Sequence, residues 1–145
     1  MSCTLKEPQA LPAEPRIVLV AEDEDVVRLV LTRVLSNAGY RTLEARNGEE
    51  ALQMAIFAHP YLHLVITDVV MPKLDGRTLG HRLNERLPSL PVLYISAHPI
   101  DDLFHRGAPS PSAPFLQKPI LEDELLTTVS RLLSPSPVPG PVRIA

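Results

Sequence analysis

Leu64-Val-Ile-Thr-Asp68-Val-Val-Met-Pro72-Lys-Leu-Asp75-Gly-Arg-Thr78 sets a run of β-formers directly before an aspartate, with Met71-Pro72 and Asp75-Gly76 soon after. An apolar run closed by an acid and then a proline reads as a strand emptying into a loop. Taken alone, Asp68 is either a turn-forming acid or a chemical group. The sequence on either side decides between them.

Upstream, Ile17 to Val20 is a short β-branched run followed by Glu22-Asp-Glu-Asp25. The next segment has apolar residues at Val26, Val27, Val30, Val34 and Leu35, close to helical spacing, with Asp25 as the expected N-cap and Gly39 past the C-terminus. Arg41 to Ala45 reads as a second strand. Asn47 with Glu50 three positions on resembles a capping box and opens a helix through His59. Leu62 to Thr67 is the third strand. Downstream, Arg77 to Arg86 makes a helix stopped near Pro88, and Val92 to Ile95 is a fourth strand. Pro99 to His105 is a short fourth helix, Phe115 to Gln117 a fifth strand, and Glu122 to Leu133 the last helix. Short apolar strands alternating with helices predict an α/β fold: a doubly wound, five-stranded parallel sheet with helices on both faces.

The chain has 145 residues, 45% hydrophobic and 21% charged, with a net charge of −3. That describes a globular domain large enough to bury roughly 70% of its unfolded surface. It lacks the basic stripe of a nucleic-acid surface. No apolar run reaches the ~20 residues of a membrane span, and the N-terminus has no signal-peptide core. The single cysteine, Cys3, points to a reducing compartment, so the expected location is the cytoplasm. Prolines crowd both ends and the stretch 107–114. The expected organisation is a flexible tail over 1–15, one domain over 16–133 and a proline-rich tail over 134–145.

In open α/β sheets, ligands gather beyond the carboxyl ends of the strands. Those ends carry Glu22 and Asp23, Asp68, Ser96 and Lys118. Three clustered carboxylates need neutralising, and an oxygen-only set favours Mg²⁺ over zinc. Such an ion attracts a phosphoryl group. Lys118 can balance charge, Ser96 can donate to a phosphoryl oxygen, and Asp68 can act as nucleophile, since carboxylates form acyl phosphates.

The pieces IVLVAEDE, VITDVVMPKLDG, VLYISA and FLQKP, in this order and at strand ends, resemble the receiver domain of two-component response regulators, the CheY-like family. The resemblance implies that Asp68 accepts a phosphoryl group from a phosphohistidine on a sensor histidine kinase or a histidine phosphotransfer protein. It implies that Asp23, Asp68 and the backbone carbonyl of Val70 bind Mg²⁺ directly, with Glu22 acting through water. Ser96 and Phe115 match the switch pair, and the Lys118–Pro119 bond is expected to be cis. The first acid is Glu22 where many relatives have Asp, and Phe115 lacks a tyrosine hydroxyl. Apolar Val70 cannot position a hydrolytic water, which implies a long-lived phosphate. Dimer contacts in the family often use the face of the fourth helix, fifth strand and fifth helix, and 107–114 bears on that face. HRGAPSPSAPFLQKP resembles receivers attached to hybrid sensor kinases more than those attached to DNA-binding regulators.

Three functions compete. The first is a phosphorylation-controlled receiver, standing alone or cut from a hybrid kinase, with no catalytic output. The second is a phosphorylation-independent interaction module on the same fold, which would ordinarily have lost an acid or the lysine. The third is a Mg²⁺-dependent phosphatase, which would want a second acid where Val70 stands.

Overall fold

The computed structural model describes residues 14–98 and 113–134. Nine elements follow in order: β1 (Ile17–Ala21), α1 (Asp25–Asn37), β2 (Arg41–Ala45), α2 (Gly48–Ala58), β3 (Leu62–Asp68), α3 (Gly76–Arg86), β4 (Val92–Ser96), β5 (Phe115–Gln117) and α4 (Glu122–Leu133). The strands form one parallel sheet in the order β2-β1-β3-β4-β5. The predicted helix at 99–105 lies outside the described residues. So do 107–112 of the proline-rich stretch and the segments 1–13 and 135–145.

Alternation along the strands splits the core into two layers. Val18, Val20, Leu64 and Ile66 pack with Leu31 and Leu35 of α1 and Leu125 and Val129 of α4. Leu19, Ala21 and Val65 pack with Ala51 and Ala55 of α2 and Leu79 and Leu83 of α3. Successive side chains point to opposite faces, so strands covered on both sides read as unbroken apolar runs. One irregularity interrupts the alternation. Ile17 pairs with Leu62 but Val18 pairs with Leu64, so His63 is an extra residue in the ladder. Its ring Nδ1 accepts the Ile17 N–H at 3.0 Å, and Leu62 and Leu64 therefore serve opposite layers.

The helix ends explain the helix positions. Asn47 accepts from the Glu50 N–H (2.8 Å), and Asp75 accepts from the Thr78 N–H (2.8 Å), each satisfying a first-turn donor. Gly39, at φ +100°, closes α1: Gly39 N–H reaches Ser36 O and Tyr40 N–H reaches Leu35 O, a Schellman ending that needs a left-handed residue.

The first helix departs from the sequence reading in two respects. Glu24, not Asp25, is the N-cap, and it makes no side-chain cap; Asp25 is the first helical residue and pairs with Arg28. The predicted apolar stripe is also rotated. Val26 and Val30 are exposed, Val27 and Val34 are half-buried, and the inward face is Arg28, Leu31, Thr32 and Leu35. Five apolar residues in the first half of the helix leave several faces plausible from spacing alone, and docking on the sheet selects one. Strands β1, β3 and β4 each run one residue further than their apolar runs, so Asp68 and Ser96 end strands instead of starting loops.

Candidate functional site

β1, β3, β4 and β5 are consecutive in the sheet, so the residues at their carboxyl ends fall side by side. Asp68 is the last residue of β3 and pairs with Ile95 of β4. Glu22 follows β1, Ser96 ends β4 and Lys118 follows β5. The acceptor position is fixed from behind. Thr67 Oγ1 donates to the Asp68 carbonyl at 2.9 Å, Val69 N–H to Ile95 O at 2.9 Å, and Gly76 N–H to Val69 O at 2.8 Å. Gly76 sits so close that a Cβ there would lie 2.1 Å from the Asp68 carbonyl oxygen. The loop between them contains Lys73 at φ 70°, with Leu74 N–H donating to Pro72 O at 2.9 Å, a tight three-residue turn seldom adopted by residues other than glycine.

Four of the residues singled out from sequence meet in one pocket. Lys118 Nζ donates to Asp68 Oδ2 at 2.9 Å and lies 2.8 Å from Glu22 Oε1. The contact to Glu22 is close but badly angled: Oε1 is buried without an aligned hydrogen bond, so it is an ion pair and the ammonium's well-directed bond goes to Asp68. Glu22 Oε2 accepts from Glu24 N–H at 3.1 Å, and Asp68 Oδ1 accepts from Val70 N–H at 3.2 Å. Asp23 is exposed beside them, and oxygens of Glu22, Asp23 and Asp68 lie within 4.8 Å of one another.

The electrostatics follow from burial. Glu22 has no exposed surface, and burial pushes its pKa up to about 7 against the opposing pull of Lys118 and the Glu24 N–H. Burial disfavours the Lys118 ammonium, but its close contacts with the Glu22 and Asp68 carboxylates outweigh it and raise its pKa. The pocket thus holds three acids against one firmly protonated cation. A hard divalent ion fits this donor set: all oxygen, open to water on the Asp23 side, with a buried Glu22 oxygen lacking an aligned donor.

Ser96 is buried at the same rim; its Oγ accepts from His98 N–H at 3.1 Å, and its carbonyl accepts from Lys118 N–H at 2.8 Å. Among the described residues no hydrogen bond joins Ser96 to Asp68. Phe115 is half-buried against Val69 and Tyr94. Val70 reaches Asp68 through its N–H, and its side chain is exposed. The Lys118–Pro119 bond is cis, as is His59–Pro60. Sequence reasoning missed Glu24, whose N–H orients Glu22 and whose carboxylate lies 3.6 Å from Lys118. It also missed Arg28, which donates to the Glu22 carbonyl at 2.8 Å. The only advance signal for Arg28 was its place in the first turn of the helix after the acids.

Residues 18–130 match the response regulator receiver domain family. The chain is 38% identical over 117 residues to the sensor kinase CckA of Brucella abortus, covering 80% of this chain and 12% of that protein. It is 34% identical over 116 residues to the transcriptional regulatory protein CssR of Bacillus subtilis, covering 80% of this chain and 50% of that one. The chain thus spans half or less of these two relatives. Its fold is similar to the receiver domain from the hybrid histidine kinase CckA, with TM-score 0.69 and 37% identity over 81% of this chain and 99% of that one. It is also similar to a chain of the CheX–CheY–BeF3–Mg²⁺ complex from Borrelia burgdorferi, with TM-score 0.73 and 26% identity over 83% and 91%.

With a family match over most of its length and the family's fold, the chain belongs to the response regulator receiver domains, the phosphoacceptor domains of two-component signalling. Among the described residues no helix is long and apolar enough to cross a membrane.

Proposed function

We propose that this chain takes a phosphoryl group onto Asp68 from a phosphohistidine of a sensor histidine kinase or a histidine phosphotransfer protein, and relays the change to a partner protein. One observation carries the assignment of Asp68: the half-buried ammonium of Lys118 spans Asp68 and Glu22 while Asp23 stands open beside them. In the transfer, the P–N bond of the donor breaks, a P–O bond to an Asp68 oxygen forms, and the imidazole nitrogen keeps the electron pair. Lys118 and the Val70 N–H hold the two carboxylate oxygens in place, so one faces an incoming phosphorus without searching. Mg²⁺, held by Asp23, Asp68 and the Val70 carbonyl, with Glu22 acting through water, would neutralise charge on the transferring group. A Mg²⁺-containing structural neighbour supports that choice of ion.

Ser96 Oγ is already used as an acceptor by His98 N–H, which leaves its own hydroxyl proton free for a phosphoryl oxygen. Movement of Ser96 toward the phosphate opens space on the β4 side, and Phe115 turns into it. This pair is the switch. The domain occupies 16–133 and acts in the cytoplasm, with regulation and not turnover of a substrate as its role.

Intact-mass measurement after acetyl phosphate treatment tests the reading. Wild type gains one phosphoryl group only with Mg²⁺, and Asp68→Ala gains none. Folded wild type that gains none with Mg²⁺ present would make this a phosphorylation-independent interaction module.

A further inference from the structure

Glu22 is tied at each of its polar groups. Its N–H donates to Ala45 O of β2 at 3.0 Å, its carboxylate takes the Glu24 N–H and faces Lys118, and its carbonyl takes Arg28 Nη1 at 2.8 Å. The last contact comes from a buried guanidinium on α1. Arg28 is only 8% exposed, and the rest of its fork is spent as well: Nη2 on Asp25 Oδ1 at 2.5 Å and Nε on Glu44 Oε1 at 3.2 Å. Burying a guanidinium is costly unless its donors are satisfied, and here three acceptors from the loop, α1 and β2 satisfy them. Asp23, one residue on from the clamped carbonyl, has an exposed carboxylate that no hydrogen bond among the described residues holds. Its position is inherited from the backbone that Arg28 fixes.

We propose that Arg28 is a positioning residue for divalent-cation binding: by clamping the Glu22 carbonyl between α1 and β2 it presets the loop that presents Glu22 and Asp23 to the ion. This rests on reading the acidic pocket as a Mg²⁺ site. Removing a positive charge beside three acids should tighten a cation; loosening the loop that carries two of them should weaken it. Lysine keeps the charge but has no planar fork to serve three acceptors, so it does not substitute.

The test is Mg²⁺ affinity by titration calorimetry, with melting of the metal-free protein in EDTA measured alongside. Arg28→Met, which keeps the apolar stem, and Arg28→Lys, which keeps the charge, are each expected to weaken Mg²⁺ about tenfold or more, the size typical for lost outer-shell support. If Arg28→Met does not fold, Arg28→Lys carries the test alone. Variants that melt lower but bind Mg²⁺ as tightly as wild type, or more tightly, overturn the role and leave Arg28 a packing residue. Wild type that shows no saturable Mg²⁺ binding overturns the site reading itself, an outcome distinct from failure of Arg28 alone.

Discussion

Glu22 carries a conflict that its neighbour Asp23 does not. It is a carboxylate without exposed surface, and its pKa stands at about 7 where 4.5 is ordinary. A carboxyl raised on folding takes up a proton as the chain folds. Its contribution to stability is complete below about pH 4.5 and is lost as pH rises through about 7. The melting temperature of metal-free wild type, minus that of Glu22→Gln, should therefore fall between about pH 5 and pH 8. Taking the difference cancels the titrating groups that do not interact with Glu22. A difference that stays flat in EDTA across that range would mean Glu22 remains ionised throughout. The same reasoning explains why an ion suits the site: a cation stabilises the charged form that burial opposes.

The loop joining β3 to α3 shows how an element can hold a reactive group still. Its close approach at Gly76 leaves no room for a methyl group against the Asp68 carbonyl. Gly76→Ala is expected to cost about 1–3 kcal/mol of stability in denaturant unfolding, the usual range for overpacking, and to slow phosphoryl uptake at Asp68 as the backbone yields. Unchanged unfolding and unchanged labelling would show that the loop moves aside freely. Many of the element boundaries were legible beforehand. The β-former run ending in Asp68 gave the strand, Asn47 with Glu50 gave the α2 start, and Gly39 gave the α1 end, because each depends on residues within one turn of the chain. What was not legible depends on distant partners. The inward face of α1, the burial of Arg28 and the extra residue at His63 are all set by which strand or helix packs alongside. Spacing along one helix or strand does not carry that information.

Across the whole molecule, the two core layers hold four strand ends in line, and the pocket depends on all four. Ion binding to the folded chain alone should accordingly stabilise the entire domain. At a Mg²⁺ concentration one hundred times the dissociation constant the gain is about 2.7 kcal/mol. Adding Mg²⁺ should raise the melting temperature of wild type, EDTA should reverse the rise, and Asp68→Ala should show a much smaller rise; equal shifts in both proteins would place the ion elsewhere. The rim acids and the lysine were readable because each closes a short apolar run, whereas their mutual distances came only with the strand order. That order has a temporal consequence. Lys118 lies 50 residues beyond Asp68 and follows β5, an edge strand, so during synthesis the acids leave the ribosome before their counter-charge. An unfinished copy therefore carries Glu22, Asp23 and Asp68 without the ammonium that pairs with two of them in the finished fold.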